Sequence, residues 1–584
     1  MVGAGPKSLF ALEALAARLD RADRAPAHAD GSAPHTLELT VVDPTALPGT
    51  GAAYAPEQPH VLRLNVSAAL LDGAAGDAFP SFPQWVNHAH PHLASSTYPP
   101  RAVVGEYLAQ RWQRMLSRLD RHGRCRHLRA RALAVEPERT GGWTITVRVA
   151  PQETAPYDDD DRSEQGMASA TDDRLRAEEV LLASGHGVDH DDALAGRWSS
   201  PLPLVPAVLP VGGMLSISRV PPGSRVALRG GALTFLDAAL ALTEGRGAQF
   251  LSSPERPGTL LHHRSPHEPA TLLPTTRQGL LLDAKPEPGT PFAAPRTGAL
   301  DAAARRLRAF APESPQVVRD MLHVLARAAA SLLEDATGED RPWLPLVEQT
   351  LSRGAEPDLP EGPGRAEEAL RRSVAVARGA RAPGPAWALG RAWARLYPQI
   401  TTLLRGSALD VARWSELRAA ARMLERFAFG PPVETAEKLV AMVGSGAVDL
   451  SWVDAGTAIT AAGPRGIPRG AAGPDLVIDA VLAPPGLLHL TDPLARQLRG
   501  SIVSVPPSRR GAAVDLDGTA LTAAGRRREG LALLGRPTED HVIGHDTLDR
   551  HLHDEGEQWA ARLAARLIPR TATRPGERAS GGTR

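Results

Sequence analysis

The sequence predicts an α/β protein with two Rossmann-like dinucleotide-binding domains and an inserted helical region. Three observations favour this fold class: a strand–glycine turn–helix pattern at the start of the chain, a second such pattern at 225–242, and helical spacing of apolar residues over 300–443. A length of 584 residues also indicates several domains. We predict a first dinucleotide-binding domain that begins at 1–205, a second at 206–300, a helical insertion at 301–465, a return to both domains at 466–570, and a disordered tail at 571–584.

The chain begins with MVGAGPKSLFAL, which reads as the end of a strand leading into a helix. Gly3 permits a tight turn, Gly5 lets the backbone approach a pyrophosphate, and Ser8 is small enough for the helix to pack on the strand. The helix, predicted over 7–19, would direct its free N–H groups at the phosphates. The alternative is a plain strand–turn–helix corner. Because so little chain precedes Gly3, we expect either a misassigned start or a short, weakened central strand.

Two further polar residues belong to this first unit. Lysine occurs only at Lys7, Lys285 and Lys438, so Lys7 within the turn suggests that a compact ammonium group is needed there, although chance explains it equally well. The strand predicted over 37–43 ends at Asp43, where dinucleotide folds place the acid that binds ribose hydroxyls. The alternative role for Asp43 is to start a turn before the following proline.

Composition excludes several functional classes. The chain has 66 basic and 66 acidic residues and no basic block, which argues against a nucleic-acid or membrane-surface partner. No apolar run approaches the roughly 18 residues that span a bilayer, and the N-terminus lacks a signal-peptide pattern, so we expect a cytoplasmic protein. Cys125 is the single cysteine, which excludes an intrachain disulfide and a two-cysteine redox centre.

Two later segments of the first domain could approach a bound cofactor. Gly51 lies in a glycine turn at 49–54, and Asn65 ends a short apolar strand, where its amide could hydrogen-bond a cofactor ring. Residues 180–187 read as a buried strand that ends in small residues, which again permits close approach.

The second unit follows the same pattern with one substitution. Gly230 and Gly231 end a strand, Thr234 begins the helix, and Ala232 replaces the second glycine of the usual fingerprint. The strand after the helix, at 248–253, ends without an acid. Three arginines lie nearby, which favours a ligand with a 2′-phosphate, although each is individually more typical of a solvated surface: Arg246, Arg256 and Arg264.

Metal binding is not predicted. The acidic run at 157–161 is typical of a solvated loop. A terminal helix is predicted over 546–567, and His551 and His553 are two residues apart, which would place them on different helix faces. The helical insertion is expected to shape a substrate pocket or an interface in a homo-oligomer.

Several stretches in order carry a resemblance to a known family. The chain resembles bacterial flavin-dependent N-monooxygenases, including the nitrosuccinate-forming L-aspartate N-monooxygenases. Beyond residues 2–12, the resemblance is carried by GTGAAYAPEQPHVLRLN at 49–65, YPPRAVVGEYL at 98–108, GGALTFLDAALALTEGRG at 230–247 and LLGRPTEDHVIGHDTLDRHLH at 533–553.

The resemblance implies two cofactors. FAD would bind the first unit, with these residues: Gly3, Gly5, Pro6, Lys7, Ser8, Asp43, Gly51 and Asn65. NADPH would bind the second, with Gly230, Gly231 and Thr234. It further implies that NADPH reduces FAD and that dioxygen then forms a C4a-hydroperoxyflavin, whose distal oxygen is attacked by an unprotonated amine. The lack of a cysteine pair agrees with dioxygen as the electron acceptor.

The resulting hypothesis is a monooxygenase that oxygenates the amine of a small amino acid, with L-aspartate as the first candidate. Two carboxylates would need cationic partners, for which Arg63 and Arg101 are the candidates, although either residue is more typically a structural ion-pair arginine. The sequence identifies no catalytic side chain. Two alternatives stay open: a flavin oxidoreductase that acts on another nucleophile, and a nucleotide-binding protein without turnover.

Overall fold

In a computed structural model, the described residues are 1–23, 36–71, 79–149, 172–187, 189–256, 258–286, 288–294, 296–407, 409–545 and 547–568. The predicted tail and the acidic run at 157–161 lie outside them. The helices are α1 (Pro6–Asp23), α2 (Phe82–Ala89), α3 (Arg101–Leu119), α4 (Val211–Met214), α5 (Leu233–Leu242), α6 (Gly298–Arg308), α7 (Val317–Thr337), α8 (Trp343–Arg353), α9 (Arg365–Ala377), α10 (Pro385–Leu404), α11 (Val411–Ala428), α12 (Val433–Gly444), α13 (Ser451–Asp454), α14 (Pro493–Gln497) and α15 (Glu555–Leu567). The strands are β1 (Leu37–Val42), β2 (Gly123–Leu128), β3 (Ala130–Pro137), β4 (Trp143–Val149), β5 (Asp172–Ala177), β6 (Val180–Leu182), β7 (Leu204–Val205), β8 (Arg225–Arg229), β9 (Gln249–Ser252), β10 (Leu260–His263), β11 (Thr271–Thr275), β12 (Ala458–Thr460), β13 (Gly463–Arg465), β14 (Leu476–Asp479), β15 (Thr519–Leu521) and β16 (Arg527–Leu533).

Val2 lies at the centre of the first sheet. It forms parallel bridges to Val42 of β1 on one side and to Leu182 of β6 on the other. Farther out, β2 pairs with β1 and β16 pairs with β6, both in parallel, and β15 adds an antiparallel edge. The N–H of Val2 donates to Leu181 and the N–H of Ala183 donates to Val2, each at 2.8 Å. The expected short central strand is therefore present and hydrogen-bonded.

The second sheet is parallel throughout, in the order β11–β8–β14–β7. β8 leads through the second glycine turn into α5, which confirms the predicted strand–turn–helix unit. The predicted strand at 248–253 does not join this sheet, because β9 pairs antiparallel with β10 as a separate hairpin. The place beside β8 is taken by β11, the edge strand of this sheet, in which every residue is buried.

The helical region contributes to two different cores. α6, α7, α8, α10 and α11 pack together around Trp393 and Trp414, each only 2% exposed. α9 and α12 instead cover the second sheet, where Leu370 and Leu439 join the core that includes Val226 of β8. The helices that follow 300 therefore form one separate layer and one face of the second dinucleotide-binding unit.

The terminal helix begins later than predicted. α15 starts at Glu555, and its first turn carries Glu555 and Glu557, acids that favour the positive end of a helix. His551 and His553 lie in the loop before it. Among the described residues, no group of three His, Cys, Asp or Glu side chains is placed to hold a metal ion. In the same part of the chain, no helix has the length and apolar character that crossing a bilayer requires.

Candidate cofactor and active site

The first glycine turn is fixed by its contact with β6 and leaves open space on its other side. Gly3 has φ +91°, and a Cβ atom there would lie 2.2 Å from the carbonyl oxygen of Ala183. Ser8 is fully buried and its hydroxyl donates to the carbonyl of Gly3 at 2.6 Å, which ties the turn to α1. At Gly5, by contrast, a Cβ atom would meet nothing within 4 Å. The turn thus has room for a ligand where the fingerprint predicts one.

A cavity of about 360 Å³ opens at this turn. Its wall includes Pro6 and Lys7 at the start of α1, the end of β1, and Gly51, whose φ is +56°. The other wall segments are 2–5, 43–45, 50–54, 130–132, 183–187, 487–498 in part, 534–536 and 547–548. Because phosphates bind at helix N-termini, where backbone N–H groups are free, the cavity can hold a dinucleotide with its pyrophosphate beside α1.

Asp43 accepts hydrogen bonds within the turn that follows β1, and it also lines the cavity. Its Oδ2 accepts the N–H of Ala4 at 2.8 Å, and its Oδ1 accepts the N–H of Thr45 at 2.8 Å and the Thr45 hydroxyl at 2.5 Å. The Thr45 contact is the turn-starting role that the sequence left open. Since Asp43 also lines the cavity, its remaining lone pairs can accept ribose hydroxyls.

Two histidines, the buried His545 and the partly buried His553, lie near Lys7 and Gly535 of the cavity wall. The Nδ1 atom of His545 accepts the N–H of Gly535 at 3.2 Å and lies 2.6 Å from the Thr538 hydroxyl. Burial, reinforced by the charge of Lys7, lowers the pKa of His553 to about 4 and holds the pKa of His545 well below its usual range. Both side chains are therefore neutral at pH 7. Sequence reasoning included this segment in the resemblance but assigned it no role.

Asn65 lies apart from the cavity wall. Its backbone carbonyl accepts a hydrogen bond from the ammonium group of Lys285, which joins the first domain to the loop after β11. The structure therefore brings Gly3, Gly5, Asp43 and Gly51 together around one cavity, while the predicted contact of Asn65 with a flavin ring remains a prediction.

The two candidate substrate arginines lie at the contact between the two dinucleotide-binding units. Arg101 begins α3, and its Nε donates to the carbonyl of Arg63 at 3.0 Å. Its Nη1 pairs with Asp237 of α5 at 2.6 Å, and the two side chains are 12% and 8% exposed. Burial raises the pKa of Asp237, although the charge of Arg101 opposes that shift. Arg101 therefore connects α3 to α5, and the substrate roles of Arg63 and Arg101 remain predictions.

The second glycine turn is shaped by contacts within the protein. Gly230 has φ +111°, and a Cβ atom on Gly231 would lie 2.5 Å from Cγ2 of Thr276. Ala232 is the N-cap of α5, and Thr234 lies in the first turn of that helix. The helix start that would face a phosphate is therefore formed despite the replaced glycine.

Two of the three arginines expected near a 2′-phosphate, Arg246 and Arg264, form hydrogen bonds to other parts of the protein. The Arg246 guanidinium donates to four backbone carbonyls, including Val220 at 2.9 Å, and Arg264 contacts Glu268 and two carbonyls. Arg277 is exposed just beyond the end of β11, beside β8. Sequence reasoning did not consider Arg277, because it took the segment of β9, and not that of β11, as the strand beside β8.

Comparisons with known proteins agree with the site. Residues 1–187 match a protein-family model described as FAD-NAD(P)-binding. An L-aspartate N-monooxygenase (nitrosuccinate-forming) from Streptomyces cremeus is 29% identical over 320 residues, covering 49% of this chain and 43% of that protein. The nitrosuccinic acid synthase npaA from Aspergillus oryzae is 26% identical over 305 residues, covering 49% of this chain and 40% of that protein.

A solved structure with a likeness to the whole chain is that of DfoA bound to FAD, a cadaverine monooxygenase from Erwinia amylovora. It is 10% identical with a TM-score of 0.44, and the match covers 100% of this chain and 98% of that one. The curated relatives are matched over only about two fifths of their lengths. The name of the Streptomyces cremeus relative is the one that the resemblance predicted. Residues 1–187 belong to an FAD/NAD(P)-binding domain, whose sheet also includes β15 and β16, and the cavity at the first glycine turn fits FAD.

Proposed function

We propose that this protein is an FAD- and NADPH-dependent monooxygenase that oxygenates the amine of a small amino acid. L-Aspartate, with nitrosuccinate as its product, is the first candidate. The observation that carries the proposal is the cavity at the first glycine turn, which fits FAD in a chain whose relatives are aspartate N-monooxygenases. The second parallel unit, with the start of α5 at the end of β8, is the proposed site of NADPH.

The chain's own residues would bind and orient the cofactors. Backbone N–H groups at the start of α1 would hold the pyrophosphate of FAD, Gly5 would give it access, and Asp43 would accept ribose hydroxyls. When bound, the flavin supplies the redox and oxygen-activating chemistry. The Arg101–Asp237 bridge would keep the helix that serves NADPH in register with the flavin domain.

The proposal is tested by adding FAD to the purified protein, recording its absorbance, and then following NADPH consumption in air with and without L-aspartate. We expect a protein-bound flavin band and faster NADPH oxidation with L-aspartate, together with nitrosuccinate or the nitrite it releases. L-Asparagine and succinate serve as controls, because each lacks one of the two groups under test. Stimulation without a nitrogen-oxide product would favour another nucleophile, and failure to retain flavin would favour the non-catalytic alternative.

Arg277 should select NADPH over NADH. As an exposed cation at the end of the strand beside β8, it is placed to pair with a 2′-phosphate, and a charge-assisted hydrogen bond contributes about 1.5 kcal/mol or more. We therefore expect Arg277→Ala to raise the KM for NADPH about tenfold and to leave the KM for NADH unchanged. Arg308→Ala, at an exposed arginine at the end of α6, is the matched control. An equal change for both nucleotides would contradict this role.

A further inference from the structure

A second cavity, of about 560 Å³, lies where α8, α9 and α10 meet the loop after β11. No described residue lines both this cavity and the cavity at the first glycine turn. The apolar part of its wall includes Leu280, Trp343, Leu346, Leu359, Trp387 and Phe427. A cavity of this size, with an apolar wall and a small number of polar groups, is typical of a site for a small molecule.

Four carboxylates line this cavity, and three of them lie within 4 Å of an arginine nitrogen. These pairs are Asp283–Arg426 at 3.5 Å, Asp358–Arg372 at 3.0 Å and Glu339–Arg341 at 3.6 Å. The fourth carboxylate, Glu356, has no cation within that distance in the described part of the chain. Its Oε1 accepts the N–H of Ala386, at the start of α10, at 2.9 Å, and its Oε2 accepts no hydrogen bond from a described residue. Glu356 therefore has one oxygen left for a ligand.

Arg391 is the unpaired cation of the same wall. Of the five arginines that line the cavity, the other four each lie within 4 Å of one of its acids, Arg381 through Asp358 at 3.8 Å. Arg391 is partly buried on α10, and among the described residues it has no carboxylate within 4 Å and no hydrogen-bond partner. It lies four residues after Trp387, on the same face of the helix, and both side chains line the cavity. An enclosed guanidinium without an acceptor is costly unless a ligand supplies one.

Glu356 and Arg391 are placed at two points along one helix. Glu356 contacts α10 at Ala386, and Arg391 follows five residues later, a rise of about 7.5 Å along the helix axis. Because long helical side chains lean toward the N-terminus of their helix, the guanidinium lies closer to Glu356 than this rise implies. The spacing therefore suits a compact ligand with one positive and one negative group. A polyanion such as a nucleotide is disfavoured, because it would face the four carboxylates of the wall.

We propose that this cavity binds a free amino acid with an apolar side chain, in its zwitterionic form. The planar guanidinium of Arg391 binds the carboxylate of the ligand through two parallel hydrogen bonds, and Oε2 of Glu356 accepts a hydrogen bond from its ammonium group. The side chain of the ligand packs against Trp387 and the apolar residues around it. This site is additional to the proposed FAD and NADPH sites and does not depend on them.

The test is isothermal titration of the full chain with L-phenylalanine and two analogues. 3-Phenylpropionate lacks the ammonium group, and 2-phenylethylamine lacks the carboxylate. We expect the wild type to bind L-phenylalanine at least tenfold more tightly than either analogue. Arg391→Met should weaken L-phenylalanine binding tenfold or more and leave the affinity for 2-phenylethylamine within twofold. Glu356→Gln should weaken L-phenylalanine binding to the same degree without weakening that of 3-phenylpropionate. Arg395→Met is the matched control, because Arg395 lies one turn further along α10 and pairs with the exposed Asp301 at 3.3 Å.

Proton release gives a second readout of the contact between Glu356 and the ammonium group. Burial raises the pKa of Glu356 to about 7. The N–H of Ala386 and the charge of Arg372 oppose this shift, whereas the charges of Asp283 and Asp358 add to it. Because a bound ammonium group favours the ionised carboxylate, L-phenylalanine should release protons when it binds at pH 7. Titrations in two buffers of different ionisation enthalpy would measure the release, which should be absent in Glu356→Gln.

Thermal unfolding of each variant separates loss of the site from loss of the fold. Because Arg391→Met removes a cation without breaking an ion pair, we expect its unfolding temperature to be no lower than that of the wild type. Arg391→Lys keeps the charge and should retain more L-phenylalanine affinity than Arg391→Met. If Glu356→Gln unfolds more easily, the comparison of the three ligands on the wild type still decides, since it involves no substitution. No L-phenylalanine binding to the wild type, equal binding of all three ligands, or affinity within twofold of wild type in both variants would overturn the inference.

Discussion

A Gly5→Val variant is expected to fold with nearly the stability of the wild type and to bind FAD at least a hundredfold more weakly. Nothing in the protein lies within 4 Å of a Cβ atom at Gly5, and its φ is not in the left-handed region, so the folded protein tolerates a side chain. The same open space faces the cavity. Displacing the pyrophosphate would lose two or more charge-assisted hydrogen bonds, each contributing about 1.5 kcal/mol or more.

The measurement is a titration of protein with FAD, followed by flavin fluorescence, combined with thermal unfolding of the FAD-free protein. Gly298→Val is the matched control, because Gly298 also begins a helix, has an open Cβ position, and lies away from the cavity. Gly3→Ala provides a contrast, since its Cβ would lie 2.2 Å from the Ala183 carbonyl oxygen and should destabilise the fold itself. Wild-type FAD affinity in Gly5→Val would show that the pyrophosphate does not pass this residue.

Local patterns predicted those parts of the fold that depend on neighbouring residues. The two glycine turns, the strand at 180–187 and the helices after 300 are each determined by residues within one or two turns, and all are present. The pairing of β11 with β8, and the division of the helices between two cores, depend on contacts between distant segments. The order of elements along the chain carries little information about such contacts.

The same distinction applies to the candidate sites. Gly3, Gly5 and Asp43 follow a spacing set by cofactor geometry, and the structure places them around one cavity. Arg101 and Asp237 are far apart in sequence, and only the folded chain brings them together, at 2.6 Å. The rarity of lysine was a signal for Lys285, one of three lysines in the chain, whose ammonium group donates to the carbonyl of Asn65. That signal directed attention only to Lys7.

A buried cluster of charges joins α1, which follows the first glycine turn, to two other segments of the chain. Glu13 on α1 accepts two hydrogen bonds from Arg111 of α3, at 2.8 and 2.6 Å, and one from Arg550 at 3.0 Å. Glu13 is 2% exposed and Arg111 is 1% exposed. The guanidinium groups of Arg111 and Arg550 also lie 5.7 and 5.1 Å from the ring of Phe10. A single carboxylate thus neutralises two enclosed arginines and joins three segments of the flavin domain.

Glu13→Gln is therefore expected to lower the free energy of unfolding by about 3–5 kcal/mol, because it removes the charge that faces both buried arginines. Urea unfolding of the FAD-free protein, followed by tryptophan fluorescence, would measure the shift. Glu367→Gln on α9 is the control, since its ion pair with Arg371, at 2.7 Å, is exposed and should contribute less than about 1 kcal/mol. Because α1 begins at the turn where we propose that the FAD pyrophosphate binds, FAD should partly restore the stability of Glu13→Gln as its concentration rises. A loss no larger than in the control would mean that water or a rearranged partner compensates both arginines, and that α1 is held by its apolar contacts alone.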